Sequence, residues 1–158
     1  MNIFVLDKDP AKAAAMHCDK HVTKMCLEYA QLLCTAAHVL GVGDDSLYKQ
    51  THTNHPCAVW TRSSEANVLW LGWLLFELGK QHVYRYDTTH KSVEVGRLAA
   101  KALYTRATFL RQRITPFAQA MPDQYKDKNP VKAYRAYYIG EKQSIARWAH
   151  GPTPRWWS

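Results

Sequence analysis

From Ala11 to about Leu40 the apolar residues Cys18, Val22, Met25, Tyr29, Leu32, Leu33, Ala36 and Leu40 recur at steps of three and four. That spacing places them on one helical face, and Asp9-Pro10 supplies an N-cap followed by proline at the first helical position. The run stops at Gly41-Val42-Gly43 and reads as one long helix or as two with a bend. A second helix opens at Pro56 and continues to about His82, with Trp60, Leu71, Leu74 and Leu78 on one side. A third is expected from Val93 to about Arg113, its apolar sector formed by Val95, Leu98, Ala99, Ala102 and Leu103. Pro130 opens a fourth, through Tyr137 and on toward Trp148. Before all of these, Asn2 to Leu6 is a short β-branched and aromatic run that reads as extended chain.

The connections are equally legible. Gly41 to Pro56 is rich in Gly, Asp, Ser, Thr, Asn and His without a period, which predicts a surface loop and a candidate site wall. Tyr84 to Ser92 reads as a polar turn, and Pro116, Pro122 and Pro130 punctuate a long irregular passage. The tail Gly151-Pro-Thr-Pro-Arg-Trp-Trp-Ser is non-helical and must pack its tryptophans somewhere. With no repeat and no break in composition, the expectation is one mainly all-α domain over residues 1–158, an irregular helical bundle with a short N-terminal extended segment.

Composition narrows the class of partner. Twenty-one Lys and Arg against 13 Asp and Glu give a formal charge of +8, which favours a polyanion such as DNA; the competing reading is a solvated basic surface that keeps the protein soluble. The N-terminus lacks a basic lead before an apolar core, and no apolar run reaches the roughly 18 residues of a membrane span, so a soluble, unexported protein without a membrane partner is expected. Cys18, Cys26, Cys34 and Cys57 fall in or beside helical patterns, which suits reduced core thiols better than a disulfide frame.

The segment richest in chemistry is His17-Cys-Asp-Lys-His-Val-Thr-Lys-Met-Cys-Leu-Glu28. At about 100° per residue, His17, Lys20, His21, Lys24, Glu28 and Gln31 share one stripe. Two histidines one turn apart with interleaved lysines suggest a phosphate site or a catalytic centre, against the alternative of an ordinary wet face. His17 and His21 also have the i, i+4 spacing of paired metal ligands, but Lys20 and Lys24 would repel a cation and no zinc-like cluster accompanies them, so neither metal nor cofactor is expected.

Further candidates are scattered. His55 precedes Pro56 at a helix start, where free N–H groups can receive an anion, or it simply neighbours the cap. Asn67 lies among apolar residues and either satisfies core backbone groups or reads a base edge. Arg85, His90 and Lys91 form a polar cluster in the turn before the third helix, and Arg62 is a further basic candidate. In the last third, Lys132, Tyr134, Arg135, Tyr138 and Lys142 alternate cations with rings, which suits phosphate neutralisation and base stacking. The alternative there buries Tyr134 and Tyr138 in the core.

Taken together, His17-Cys-Asp-Lys-His-Val, His55-Pro, Arg85-Tyr with His90-Lys-Ser, and Tyr134-Arg-Ala-Tyr-Tyr resemble small phage-type DNA-acting proteins. One resemblance is to the amino acid:DNA transferases of phage thymine hypermodification. It implies transfer of an amino-acid or other small amine co-substrate onto a pyrophosphate-activated 5-hydroxymethyluracil in DNA. On that resemblance His17, Lys20, His21 and Lys24 hold the leaving phosphates, and Glu28 or a neutral histidine deprotonates the amine. A more distant resemblance is to the pyrimidine-dimer DNA glycosylases of the endonuclease V type, which attack the sugar with a free N-terminal amine, usually on Thr after Met removal. Here Met1 precedes Asn2, a context in which Met is removed poorly, so the chain departs from that pattern. A non-enzymatic DNA-binding accessory protein is the third class. All three imply a cytoplasmic setting, that of the host where the gene is a phage's.

Overall fold

A computed structural model describes residues 1–157. Six α-helices, and no strand among the described residues, make the chain all-α: α1 Pro10–Met16, α2 Asp19–Val39, α3 Pro56–Arg62, α4 Glu65–Tyr86, α5 Lys91–Arg106 and α6 Pro130–Glu141. Among the described residues no helix is long and apolar enough to cross a membrane.

The caps explain why the elements begin where they do. The Asp9 carboxylate accepts from the Ala11 and Lys12 amides to open α1, and the Asn129 side chain accepts from Val131 and Lys132 to open α6, each before a proline. Residues 11–40 form two helices. α1 ends at His17, whose backbone is extended, and α2 restarts from Cys18 without a side-chain cap. The chain supplies that cap from elsewhere, since the Asp19 amide donates to the Arg147 carbonyl at 2.8 Å.

The expected single helix from Pro56 to His82 is likewise two. Ser64 is extended and its hydroxyl receives the Asn67 amide, while the Glu65 and Ala66 amides donate to the Arg111 and Gln112 carbonyls. A fresh N-terminus with tertiary partners for its free N–H groups competes well with continued helix. α5 begins at Lys91 and stops at Arg106, short of the Arg113 expected from periodicity, and α6 stops at Glu141 rather than near Trp148.

α2 packs against α3, α4 and α5, while α1 packs against α4. The close approach of α5 depends on Gly96, where an added Cβ would meet Ala30 Cβ at 3.1 Å and collide with Leu75. The N-terminal segment runs as extended chain through the core, with Ile3, Phe4, Val5 and Leu6 buried. Its backbone is paired by side chains instead of a sheet: the Phe4 amide donates to Tyr29 Oη at 3.1 Å, and Leu6 O accepts from Arg135 Nε at 2.9 Å. Trp148, Trp156 and Trp157 of the tail close over Tyr138, which gives the tryptophans their place.

Candidate functional site

His17 and His21 stand a turn apart in sequence, yet they have different environments. His17 is fully buried. Its Nδ1 lies 2.7 Å from the Ala13 carbonyl, an acceptor only, so Nδ1 carries the proton and Nε2 receives the Tyr29 hydroxyl at 2.7 Å. Burial, reinforced by the nearby Arg85 charge, pulls its pKa to about 4, and the ring is neutral at pH 7. With both nitrogens occupied, His17 cannot hold a leaving phosphate, which corrects the expectation that it shares a phosphate-binding stripe with Lys20, His21 and Lys24. The stripe fails because the helix breaks at His17 and turns that side chain inward.

His21 is 3% exposed and is clamped between two aromatic residues. Phe4 stacks on the ring at a centroid distance of 4.7 Å, and Tyr138 Oη lies 2.6 Å from Nδ1. The Tyr138 oxygen also accepts from the Cys18 amide. Nδ1 at 2.6 Å is a nearer and better acceptor for the Tyr138 hydroxyl than Cys18 Sγ at 3.5 Å, so we assign the Tyr138 proton to Nδ1 and the proton of the neutral ring to Nε2. That Nε2 has no protein partner. It is not sealed either, because the one fully buried unpartnered polar side-chain atom among the described residues is Arg85 Nε.

Burial pushes the His21 pKa down to about 3, with His17, Lys142, Lys24 and Lys20 all acting in the same direction. The charges of Lys142, Lys24 and Lys20 thus act on the point where Nε2 reaches the surface, here called the His21 mouth. Lys24 and Lys20 are exposed, and Lys142 Nζ sits 4.7 Å above the Tyr137 ring. Glu28, one turn beyond Lys24, pairs with it at 3.4 Å and with the Met1 α-amino nitrogen at 3.5 Å. His55 borders the same group: its Nδ1 caps α3 by accepting from the Cys57 amide at 3.1 Å. Burial lowers its pKa, as do the Met1 amine and His52, while Glu28 opposes them.

Of the residues singled out from sequence, Lys20, Lys24 and Lys142 thus act on His21, which Tyr138 backs, while Glu28 lies about two turns further along α2 with the Met1 amine and His55 near it. The others do not join them. Asn67 is fully buried and saturated: the two Nδ2 hydrogens are shared among Trp60 O, Ser63 Oγ and Thr115 Oγ1, and Oδ1 accepts from the Thr115 amide. It reads no base, because every polar atom already ties the irregular passage to α3 and α4. Arg85 is likewise internal, donating to the His17 and Ala15 carbonyls and pairing with Asp19 at 3.0 Å. The other Asp19 oxygen accepts from the Ala149 amide at 2.7 Å, so the pair staples the tail to the α1–α2 junction.

Arg62 holds the preceding loop through Thr53 O at 2.7 Å. His90 caps α5 by accepting from the Ser92 amide, with the exposed Lys91 beside it. Tyr134 and Tyr138 are fully buried, with the Tyr134 hydroxyl bound to Ala118 O, so neither ring is available to stack on a base. Lys132 is exposed, whereas Arg135 is engaged with Leu6 O and with Asp7 at 3.5 Å.

Sequence reasoning missed Phe4, Tyr29 and the Met1 amine. Phe4 reads as core in an apolar run, and nothing in the spacing of Tyr29 announces its contact with a histidine twelve positions earlier. The most apolar grooves, of about 370 and 420 Å³ between α4 and α5, lie away from this group and include His90 alone of the candidate residues. No family model, no curated protein and no solved structure matches the chain.

Proposed function

We propose that the His21 mouth is the active site of a DNA base-modifying transferase, in which Lys20, Lys24 and Lys142 and the His21 Nε2–H receive a pyrophosphate leaving group. The observation that carries this reading is an unpartnered neutral imidazole N–H, held rigid by Phe4 and Tyr138, with three lysine charges acting on it and the Glu28 carboxylate about two turns further along α2, paired with Lys24. Preorganised donors directed at developing negative charge are the largest single source of rate enhancement in many enzymes.

The balanced step is displacement at the exocyclic methylene of pyrophosphorylated 5-hydroxymethyluracil. The amine nitrogen of an amino-acid or similar co-substrate forms the new C–N bond, the C–O bond breaks, and pyrophosphate leaves with the electron pair. Glu28 accepts the proton that the attacking amine loses. Mass spectrometry of nucleosides from such DNA, incubated with protein and amino acids, is expected to show an amine adduct together with released pyrophosphate. Lys24→Ala should lower the yield at least tenfold, the scale of one lost charge-assisted contact. Absence of both adduct and pyrophosphate with the parent protein overturns the reading.

One observation favours the glycosylase alternative, namely the Met1 α-amino nitrogen 3.5 Å from Glu28. An amine beside a carboxylate can attack a sugar carbon and form an imine. This reading requires a free α-amine on Met1, which intact-protein mass spectrometry establishes. Borohydride would then trap a protein–DNA adduct at that residue; a free amine with no trapped adduct removes this alternative. DNA binding with neither chemistry identifies the accessory-protein class.

A further inference from the structure

Far along α6 from the His21 mouth, a cleft of about 560 Å³ is lined by Lys8, Trp70, Thr115, Phe117, Gln119 and Lys128, among others. Its aromatic wall is fixed from behind. Trp70 Nε1 donates to the Lys8 carbonyl at 2.9 Å, Phe117 lies 4.8 Å from the Trp70 ring, and Phe117 stacks on Trp60 at 5.1 Å. The saturated Asn67 holds Thr115, and Gln119 exchanges two hydrogen bonds with the Asp127 backbone at 2.8 and 3.1 Å. A site with walls this well tied loses little entropy when a ligand enters.

Two exposed lysines, Lys8 and Lys128, stand at its rim. Among the described residues neither Lys8 nor Lys128 is in an ion pair. Of the carboxylates nearest in sequence, Asp7 pairs with Arg135, while Asp9 and Asp127 cap the α1 and Asn129 amides and keep their charge without contacting either lysine. A bare anion needs no aromatic wall, and an apolar ligand needs no lysines. A ligand that combines a flat π-face with negative charge uses both.

We propose that this cleft binds a nucleotide, with the base against Trp70 and Phe117 and the phosphate between Lys8 and Lys128. Base-on-ring stacking and charge neutralisation are the two means by which proteins hold single nucleotides and unpaired strands without reading sequence. The site is distinct from the His21 mouth. The twelve residues of α6 separate Pro130, at the cleft, from Lys142, at the mouth, by about 18 Å at 1.5 Å per residue. The inference is independent of the reaction proposed at that mouth.

The test is calorimetric titration of the full chain with thymidine 5′-monophosphate, inorganic phosphate and a short single-stranded thymidylate oligonucleotide. Each ligand is measured on the parent, on the charge-reversed double variant Lys8→Glu/Lys128→Glu, and on Lys24→Ala. The monophosphate should bind at least about tenfold more tightly than phosphate, the worth of one stacked base. The double variant should lose about tenfold or more while keeping the parental melting temperature, whereas Lys24→Ala should keep the parental preference for the monophosphate over inorganic phosphate. Loss for both nucleotide ligands identifies a site for free nucleotides, and loss confined to the oligonucleotide identifies a site for an unpaired base of a strand. Either result supports the proposal. It is overturned if phosphate binds as well as the monophosphate, or if the double variant binds both nucleotide ligands as the parent does.

Discussion

Acidification should unfold this protein through His17 and His21 before its carboxylates titrate. Both rings are neutral and buried when folded, with pKa values lowered from 6.5 to about 4 and about 3, and both become free to protonate on unfolding. A lowered histidine pKa means that the unfolded chain binds more protons, so stability is fully present above pH 6.5 and falls with acidification. The loss continues until the folded pKa is reached, near pH 4 for His17 and near pH 3 for His21. At 1.36 kcal/mol per unit, the two rings together withdraw about 3.5 kcal/mol between pH 7 and pH 5. That is a large part of the 5–15 kcal/mol typical of a domain.

Urea denaturation at pH 7, 6, 5.5 and 5 measures the slope directly. His55 and His90 are shifted the same way by partial burial and add to it, so the discriminating comparison is with His17→Gln. That variant will be less stable at pH 7, but its stability should fall by about 1 kcal/mol less than the parent's between pH 6 and pH 5, since one titrating group is gone. If His17→Gln keeps the parental pH dependence, the ring is not a neutral buried group, and the tautomers assigned from Ala13 and Tyr29 fail with it.

Asn67→Ala should cost about 1–3 kcal/mol in urea denaturation, because it leaves the Thr115 amide without a partner; a change under about 0.5 kcal/mol would contradict this geometry. Arg85→Met should cost about 3–5 kcal/mol by stranding Asp19 among the backbone groups that the pair joins, and the melting temperature should recover substantially in Arg85→Met/Asp19→Asn. Gly96→Ala should destabilise by about 1–3 kcal/mol despite the better helix propensity of alanine, and Leu75→Ala in the same chain should cost less than it does alone, because the shared space is then used.

Where the sequence was decisive, the physics was local. Prolines 10, 56 and 130 with their caps, and the three-and-four spacing of Val22, Met25, Tyr29 and Leu33, mark helix starts and the core face without any tertiary information. Where it fell short, the deciding partner was distant. The break at Cys18 is completed by Arg147 and the break at Ser64 by Arg111 and Gln112, none of which an amphipathic period can announce. The same distinction separates the site residues. Lys20, Lys24 and Glu28 stay on the outer side of α2 as a period of 3.6 requires, whereas the fates of Asn67, Arg85 and Tyr138 follow from contacts with Thr115, Asp19 and Cys18.

The two histidines carry this argument into the chemistry. Each is neutral, and each receives a tyrosine hydroxyl at one nitrogen; the difference lies in the other nitrogen, which donates to Ala13 in His17 and meets no protein group in His21. With its acceptor nitrogen spent on Tyr138, the neutral His21 can only donate through Nε2, and a pKa near 3 withholds the second proton that would make it a cation. It cannot serve as general base from that face. Any proton leaving an incoming nucleophile at the mouth must go to another group, and the carboxylate beside Lys24 is Glu28. The proposed transfer therefore divides its labour between a fixed neutral donor with three lysines on the leaving-group side and one carboxylate on the nucleophile side. Such a pairing stabilises both partners without requiring the buried ring to change its charge.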